Sequence, residues 1–278
     1  TAHLQEKKSP LHFLRKNLIG WLLLLPSVFC IYFFSIRPKI TGMFWSFFNM
    51  KGYKVLDFVG FENYKRVFSD TLFLKILSNT FQYTIWSLII GFMVPIILAL
   101  FLSEMRKFRD GFRFFTYLPS VLPGVAAMML WYFIYYPNSG GLFNMLLTHF
   151  GVEPYGWLQD SRFTILYIVI SMTWSGCGAT AIYYYAAMQG INPEIYEAAA
   201  IDGAGFWCKV RHVTLPQISG VILLMLVTQI IGIFSIMEQP LQMTDGGPNN
   251  ASMTLGLLSY KYGFVAFKPQ LAMAVGTI

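Results

Sequence analysis

Gln229 lies inside Gln217–Met237, a stretch with no Asp, Glu, Lys or Arg. A primary amide in such apolar company can both donate and accept hydrogen bonds, and it must find partners for them. Thr228 and Ser235 share that stretch, while Ser171, Thr173, Trp174, Ser175 and Thr180 occupy another, Phe163–Met188. Polar side chains in these surroundings mark a path for a polar solute or hydrogen bonds between helices. Amides and hydroxyls suit a neutral, hydroxyl-rich solute, and the ring faces of Trp174 and Tyr184 suit its apolar side. Gln229, Thr228, Ser235, Thr173, Trp174 and Tyr184 are therefore the candidate solute-contacting set. Helix–helix bonding and interfacial aromatic packing are the competing account of each. Tyr135, Tyr136, Tyr183 and Tyr185 read as belt residues.

The sequence carries no catalytic or metal-binding pattern beside them. Cys30 and Cys177 fall inside apolar stretches and Cys208 in a polar loop, at spacings that define neither a disulfide framework nor a metal site. His3, His12, His149 and His212 are scattered, with no H-E-x-x-H. There is no G-x-x-x-x-G-K-[ST] phosphate cradle, so any energy source must be another subunit. A membrane enzyme would need a nucleophile–base or metal pattern within a span, and the sequence offers neither.

The elements that position these residues follow from composition. The chain has 278 residues, of which 56% are hydrophobic and 12% charged, about half the charged share of soluble domains. Leu18–Ile36, Thr80–Leu102, Phe114–Tyr136, Phe163–Met188 and Gln217–Met237 carry no charge. Each is long enough to cross roughly 30 Å of hydrocarbon as a helix. The expected fold is an all-α polytopic membrane protein, one bundle over residues 18–278. The first stretch is too long for a signal-peptide core and is not followed by a small-x-small cleavage site, so it reads as a retained span. A net charge of +7 fits anionic lipid and topology better than nucleic acid. Arg106, Lys107, Arg109 and Arg113 crowd the loop 103–113, against a lone Arg162 in 137–162. That bias places the N-terminal segment 1–17, the loop 103–113 and the loop 189–216 in the cytoplasm. Residues 37–79 read as a polar, aromatic-rich loop. Gln270–Ile278 opens a further apolar run too short to cross, the start of a sixth span cut short. Pro119, Pro123 and Gly124 should break the third span and free carbonyls that need protein or a wet cavity, which places the break close to the path.

Between the fourth and fifth stretches stands Glu197-Ala198-Ala199, then Asp202-Gly203-Ala204, then Val213-Thr214-Leu215-Pro216. Asn192 is a good N-cap, Pro193 suits the first helical turn, and the alanines favour a compact helix. Gly203 supplies the stop, and a second short helix should run from Phe206 to Thr214, closed by Pro216. The order E-A-A, three residues, G, nine residues, a β-branched residue, x, L-P resembles the EAA loop of bacterial ABC importer permeases; Val213 stands where Ile is more usual. Phe58-Val59-Gly60-Phe61-Glu62-Asn63-Tyr64, Leu118-Pro119 with Pro123, and Thr244-x-Gly246-Gly247-Pro248 with Thr254 are similar to further stretches of the carbohydrate group of these permeases, the maltose-transporter type.

The resemblance implies a six-span permease of the bacterial cytoplasmic membrane with a cytoplasmic coupling helix. It implies a second homologous permease subunit, two ATPase subunits that bind ATP and Mg, an extracytoplasmic solute-binding protein, and a sugar, most simply an oligosaccharide, as cargo. Glu197, Ala198, Ala199, Asp202, Gly203 and Ala204 become the ATPase-docking element. Another solute such as glycerol phosphate fits the same architecture. A channel or secondary transporter would show charge within its spans, and the five stretches have none.

Overall fold

The computed structural model describes residues 18–278 except 53 and 106; the expected cytoplasmic segment 1–17 lies outside the described residues. Among the described residues, three helices are long and apolar enough to span a membrane: α1 (Leu18–Trp45), α3 (Phe73–Glu104) and α7 (Thr164–Gln189). Two further candidates are bent pairs, α4 (Arg109–Val121) with α5 (Gly124–Ile134) at 97°, and α9 (Phe206–Gln217) with α10 (Ser219–Phe234) at 72°. The first bend has the expected cause. Leu122 is extended ahead of Pro123, because a residue before proline is driven out of the helical region. The second bend corrects an expectation: α9 runs through Pro216 and the chain turns at Ile218 instead.

The loop 37–79 is more structured than its polarity suggests. Helix α1 absorbs it as far as Trp45, passing Arg37 and Lys39. A hairpin follows, β1 (Phe48–Lys51) and β2 (Lys54–Phe58), antiparallel with Met50 opposite Val55. This hairpin is a small addition to an otherwise helical fold. Asn63, at the start of α2 (Glu62–Phe68), is fully buried and ties the region together. Its Nδ2 donates at 2.8 Å to the carbonyls of both Ser46 and Phe48, and the Tyr64 hydroxyl lies 2.6 Å from Ser46 Oγ. The Phe58–Tyr64 stretch is thus a clasp between α1 and the hairpin.

The stretch after α10 is a second clasp. It comprises α11 (Glu238–Thr244), a turn in which Asp245, Gly246, Asn249 and Asn250 all have positive φ, and α12 (Leu255–Tyr260). Asn79 Nδ2 donates to the carbonyls of Asn250 and Met253 at 2.8 and 3.0 Å, and Thr80 Oγ1 accepts from Leu255 N at 3.2 Å. Thr254 caps α12 and donates to Ile236 O at 2.6 Å. These bonds fasten the turn to the head of α3. The final helix, α13 (Pro269–Thr277), packs its Leu271, Ala274 and Val275 with Val67, Phe73, Ile76 and Leu257.

Helix α7 is the hub. One side meets α3, and another meets α4 so closely that Gly178 has no room for a Cβ: one added there would lie 2.0 Å from Thr116 O. Ser120 Oγ locks the crossing, donating to Ser175 O at 2.8 Å and accepting from Ala179 N at 3.3 Å. Helix α1 contributes no buried residue to the core; from Leu18 to Ile36 its apolar side chains are exposed all round, as expected of a span that meets lipid or another subunit. Only its last turns, to Trp45, pack on α13. On the loop between α5 and α7, which carries α6 (Leu142–His149), the guanidinium of Arg162 beside Asp160 holds that carboxyl well below the usual range, helped by the Tyr155 hydroxyl.

Candidate functional site

A cavity of about 950 Å³ opens between α3, α7, α10, α12 and α13. Its polar centre is built around a wide turn in α3, Ser87–Gly91, where the backbone bonds i to i+5. Such single-turn insertions re-aim side chains and free groups for other partners. Gln229 Nε2 donates to Ser87 O at 2.8 Å and to Ser87 Oγ at 2.6 Å. Gly91 makes room for this arrangement: a Cβ there would stand 2.9 Å from Gln229 Nε2, 3.2 Å from Thr173 Oγ1 and 3.3 Å from Ser87 Oγ. Gln229 is half-buried, and its Oε1 has no hydrogen-bond partner among the described residues. The amide is therefore oriented by its donor side and keeps its acceptor side for another group.

Thr173, Thr228 and Ser235 line the same cavity. Thr173 Oγ1 donates to Val169 O and Thr228 Oγ1 to Leu224 O, both at 2.8 Å. Each hydroxyl proton is spent on its own helix, which leaves the oxygen lone pairs facing outward as acceptors.

Trp174 and Tyr184 do not join them, and these two expectations are corrected. Trp174 turns away into an aromatic cluster, edge-on to Trp131 with centroids 5.7 Å apart. Tyr184 is fully buried among Phe92, Ile96, Ala99 and Ile218. Thr173, Gly176, Cys177 and Thr180 share the cavity face of α7. Trp174 lies about 100° round the helix from Thr173, whereas Tyr184 continues the stripe one turn beyond Thr180, past the cavity, where α3 and Ile218 close over it. The broken third span also lies off the cavity. Ser120 and Thr116 pack on the opposite side of α7, and Leu118–Gly124 takes no part in the cavity wall. Ser87, Gly91, Glu238 and Gln239 line the cavity without having been singled out in sequence. A serine and a glycine in an apolar helix carry no signal until their partner Gln229 is known.

At the other end of α7 the polar loop forms α8 (Pro193–Ile201). Asn192 Oδ1 accepts from Glu194 N at 3.1 Å, as an N-cap should. The helix ends at Gly203, whose φ is +78°. Gly203 N bonds Ala200 O at 3.1 Å and Ala204 N bonds Ala199 O at 2.9 Å. That pairing is a Schellman stop, which needs a residue comfortable in the left-handed region. Glu197, Ala198, Asp202 and Gly203 are exposed, Ala199 and Ala204 half-buried, and no α8 side chain is buried. The Tyr196 hydroxyl, 3.0 Å from Thr214 Oγ1, links α8 to α9. Ile201 and Trp207 stand 87% and 77% exposed beside this stop, a pair of large apolar side chains that no described residue covers.

Residues 91–278 match the family of binding-protein-dependent transport system inner membrane components. The chain belongs to that family. It is similar to the lactose transport system permease protein LacF of Rhizobium radiobacter, at 32% identity over 92% of this chain and 86% of that protein. Among solved structures, it resembles a chain of a bacterial ABC transporter involved in the import of the acidic polysaccharide alginate, at 25% identity and a TM-score of 0.82, over 95% of this chain and 91% of that one. It likewise resembles a chain of a bacterial alginate ABC transporter in complex with an alginate pentasaccharide-bound periplasmic protein, at 26% identity and a TM-score of 0.82, over 95% and 90%. The fold is that of an ABC importer permease.

Proposed function

We propose that this chain is one of two related permease subunits that together form the path of an ATP-driven importer for an oligosaccharide. The observation that carries the reading is the cavity wall. An oriented amide, Gln229, the acceptor hydroxyls of Thr173 and Thr228, and Ser235 stand on α7 and on α10 and its end, with no charge among the side chains at that depth. That wall matches hydroxyl groups, which donate to acceptors, and it offers no positive charge to balance an anion. The saccharide transport named for the relatives supports the same cargo.

Energy enters at α8. ATP and Mg are bound by two ATPase subunits, and the exposed α8 with Ile201 and Trp207 seats in a groove on one of them. A rigid capped helix gripped in a moving groove transmits that motion to α7 and α10 and switches the path between its two faces. The N-terminus and the α8 loop are cytoplasmic, and a periplasmic binding protein delivers the solute to the opposite side. The test is a cysteine at Ala198, cross-linked in the assembled complex while saccharide-stimulated ATP hydrolysis is followed. The reading requires a cross-link to the ATPase subunit and loss of stimulation when it forms. Cross-linking to the binding protein instead, or unaltered stimulation, would refute it.

A further inference from the structure

The cavity has one charged side chain among its described walls, Glu238, at the first turn of α11. It is exposed, it follows α10 by a few residues, and it stands beside Gln239, also in the wall. Among the described residues, no Lys, Arg or His lines the cavity. The cations on the neighbouring clasp are engaged elsewhere. Lys261 Nζ is 2.9 Å from Asp245 Oδ1 and donates to Asp245 O at 2.8 Å, and Lys75 Nζ donates to Asn249 O at 2.6 Å. A solute passing between this end and Gln229 therefore meets a fixed negative charge, then a neutral acceptor-rich wall.

We propose that Glu238 is a specificity-determining residue: it sets a negative potential at the α11 end of the path and selects against anionic saccharides, uronic-acid oligomers above all, in favour of neutral ones. The inference deepens the functional reading above and, for the saccharide class, rests on it. Like charges in a cleft with low-dielectric walls repel far more strongly than in bulk water, and field lines are focused along such a cleft. A uronate carries a carboxylate on each ring, so every residue of the oligomer meets the penalty in turn. The acceptor bias of Thr173, Thr228 and the free Gln229 Oε1 adds to it, since a carboxylate needs donors and these three side chains spend theirs on the chain. The import of an acidic polysaccharide by a structural relative makes the point sharper. The same fold can carry polyanions, so the restriction must lie in particular side chains rather than in the architecture.

Two readouts on the intact complex test it. In a form with Cys30, Cys177 and Cys208 replaced by alanine and Ser235→Cys as reporter, the detergent-solubilised complex is treated with matched thiosulfonate reagents carrying an ammonium or a sulfonate group. Glu238→Gln should lower the ammonium-to-sulfonate rate ratio about fivefold or more, because removing one nearby unit charge slows the cationic reagent and speeds the anionic one. Glu238→Asp should retain the ratio. An unchanged ratio in Glu238→Gln, or no reaction with either reagent, overturns the proposal. In the second readout, liposomes holding the complex and one binding protein are offered a neutral oligosaccharide and a uronic-acid oligosaccharide of equal length. Glu238→Gln and Glu238→Lys should raise relative uptake of the uronate, and an unaltered preference counts against Glu238 as the selector. A shifted reagent ratio in a complex that transports no saccharide at all would instead defeat the functional reading and leave the charge bias standing.

Discussion

Replacing Gly178 by alanine should destabilise the protein, although alanine is the better helix former. The new Cβ would sit 2.0 Å from Thr116 O, 2.7 Å from Thr116 C and 3.0 Å from Tyr117 Cα, all backbone atoms of α4. Carbon and oxygen approach no closer than about 3.3 Å even in favourable Cα–H···O contacts. Helix α4 must therefore retreat by roughly 1 Å, and Ser120, one turn on, goes with it. Its bonds to Ser175 O and Ala179 N, at 2.8 and 3.3 Å, then stretch past useful length. Overpacking costs about 1–3 kcal/mol and the two hydrogen bonds about 0.5–1.5 kcal/mol each. Alanine returns ~0.5–1 kcal/mol of helix propensity. The net is a loss of about 1–5 kcal/mol. Gly176→Ala is the control on the same helix, because a Cβ there meets nothing within 4 Å and only the propensity gain applies. Thermal unfolding of the purified complex in detergent should give a lower midpoint for Gly178→Ala and an unchanged or higher one for Gly176→Ala. Equal midpoints for the two variants would falsify the close crossing of α4 and α7.

Gln229→Leu removes both bonds to Ser87, and Gly91→Ala pushes a methyl into the same amide, so both should slow solute uptake about fivefold or more while the complex still assembles, given ~0.5–1.5 kcal/mol per hydrogen bond lost; normal uptake in both would remove Gln229 from the path. Gly203→Pro cannot adopt the φ of +78° seen there, and Glu197→Lys reverses a charge on the exposed face of α8; each should abolish saccharide-stimulated ATP hydrolysis with membrane insertion intact, and retained stimulation in both would discard α8 as the docking element. Asn63→Ala leaves the carbonyls of Ser46 and Phe48 without their shared donor and should cost about 2 kcal/mol, read as faster proteolysis between residues 46 and 61; protection equal to the parent's would mean the clasp is not a structural tie.

How far the sequence reached depended on whether a residue's partner lay within its own helix turn or across the fold. Charge-free stretches needed only local length and composition, so α1, α3 and α7 were legible. The capped α8 was legible because Asn192, Pro193 and Gly203 act within a few residues of themselves. The hairpin was missed because Phe48–Phe58 lacks clean alternation and is held by Asn63, a residue that sequence reasoning read only as part of a family-like patch. Gln229 was found, since a lone amide in an apolar stretch needs partners, but its partners Ser87 and Gly91 depend on the approach of α10 to α3. Trp174 and Tyr184 failed for a geometric reason. Trp174 shares helix α7 with Thr173 and Thr180 but not their face, and composition alone does not tell the faces of a uniformly apolar helix apart. Tyr184 shares the face but lies a turn beyond the cavity, covered by Phe92, Ile96 and Ile218. The proline break was foreseen, while its place against α7 rests on the missing side chain of Gly178.

Uptake of a labelled neutral oligosaccharide by liposomes containing this chain, its partner permease, the ATPase subunits and the binding protein tests the central claim most directly. Accumulation should require ATP and the binding protein together and fall sharply with Gln229→Leu. Accumulation of an amino acid or a metal ion, with no response to any saccharide, would contradict the account.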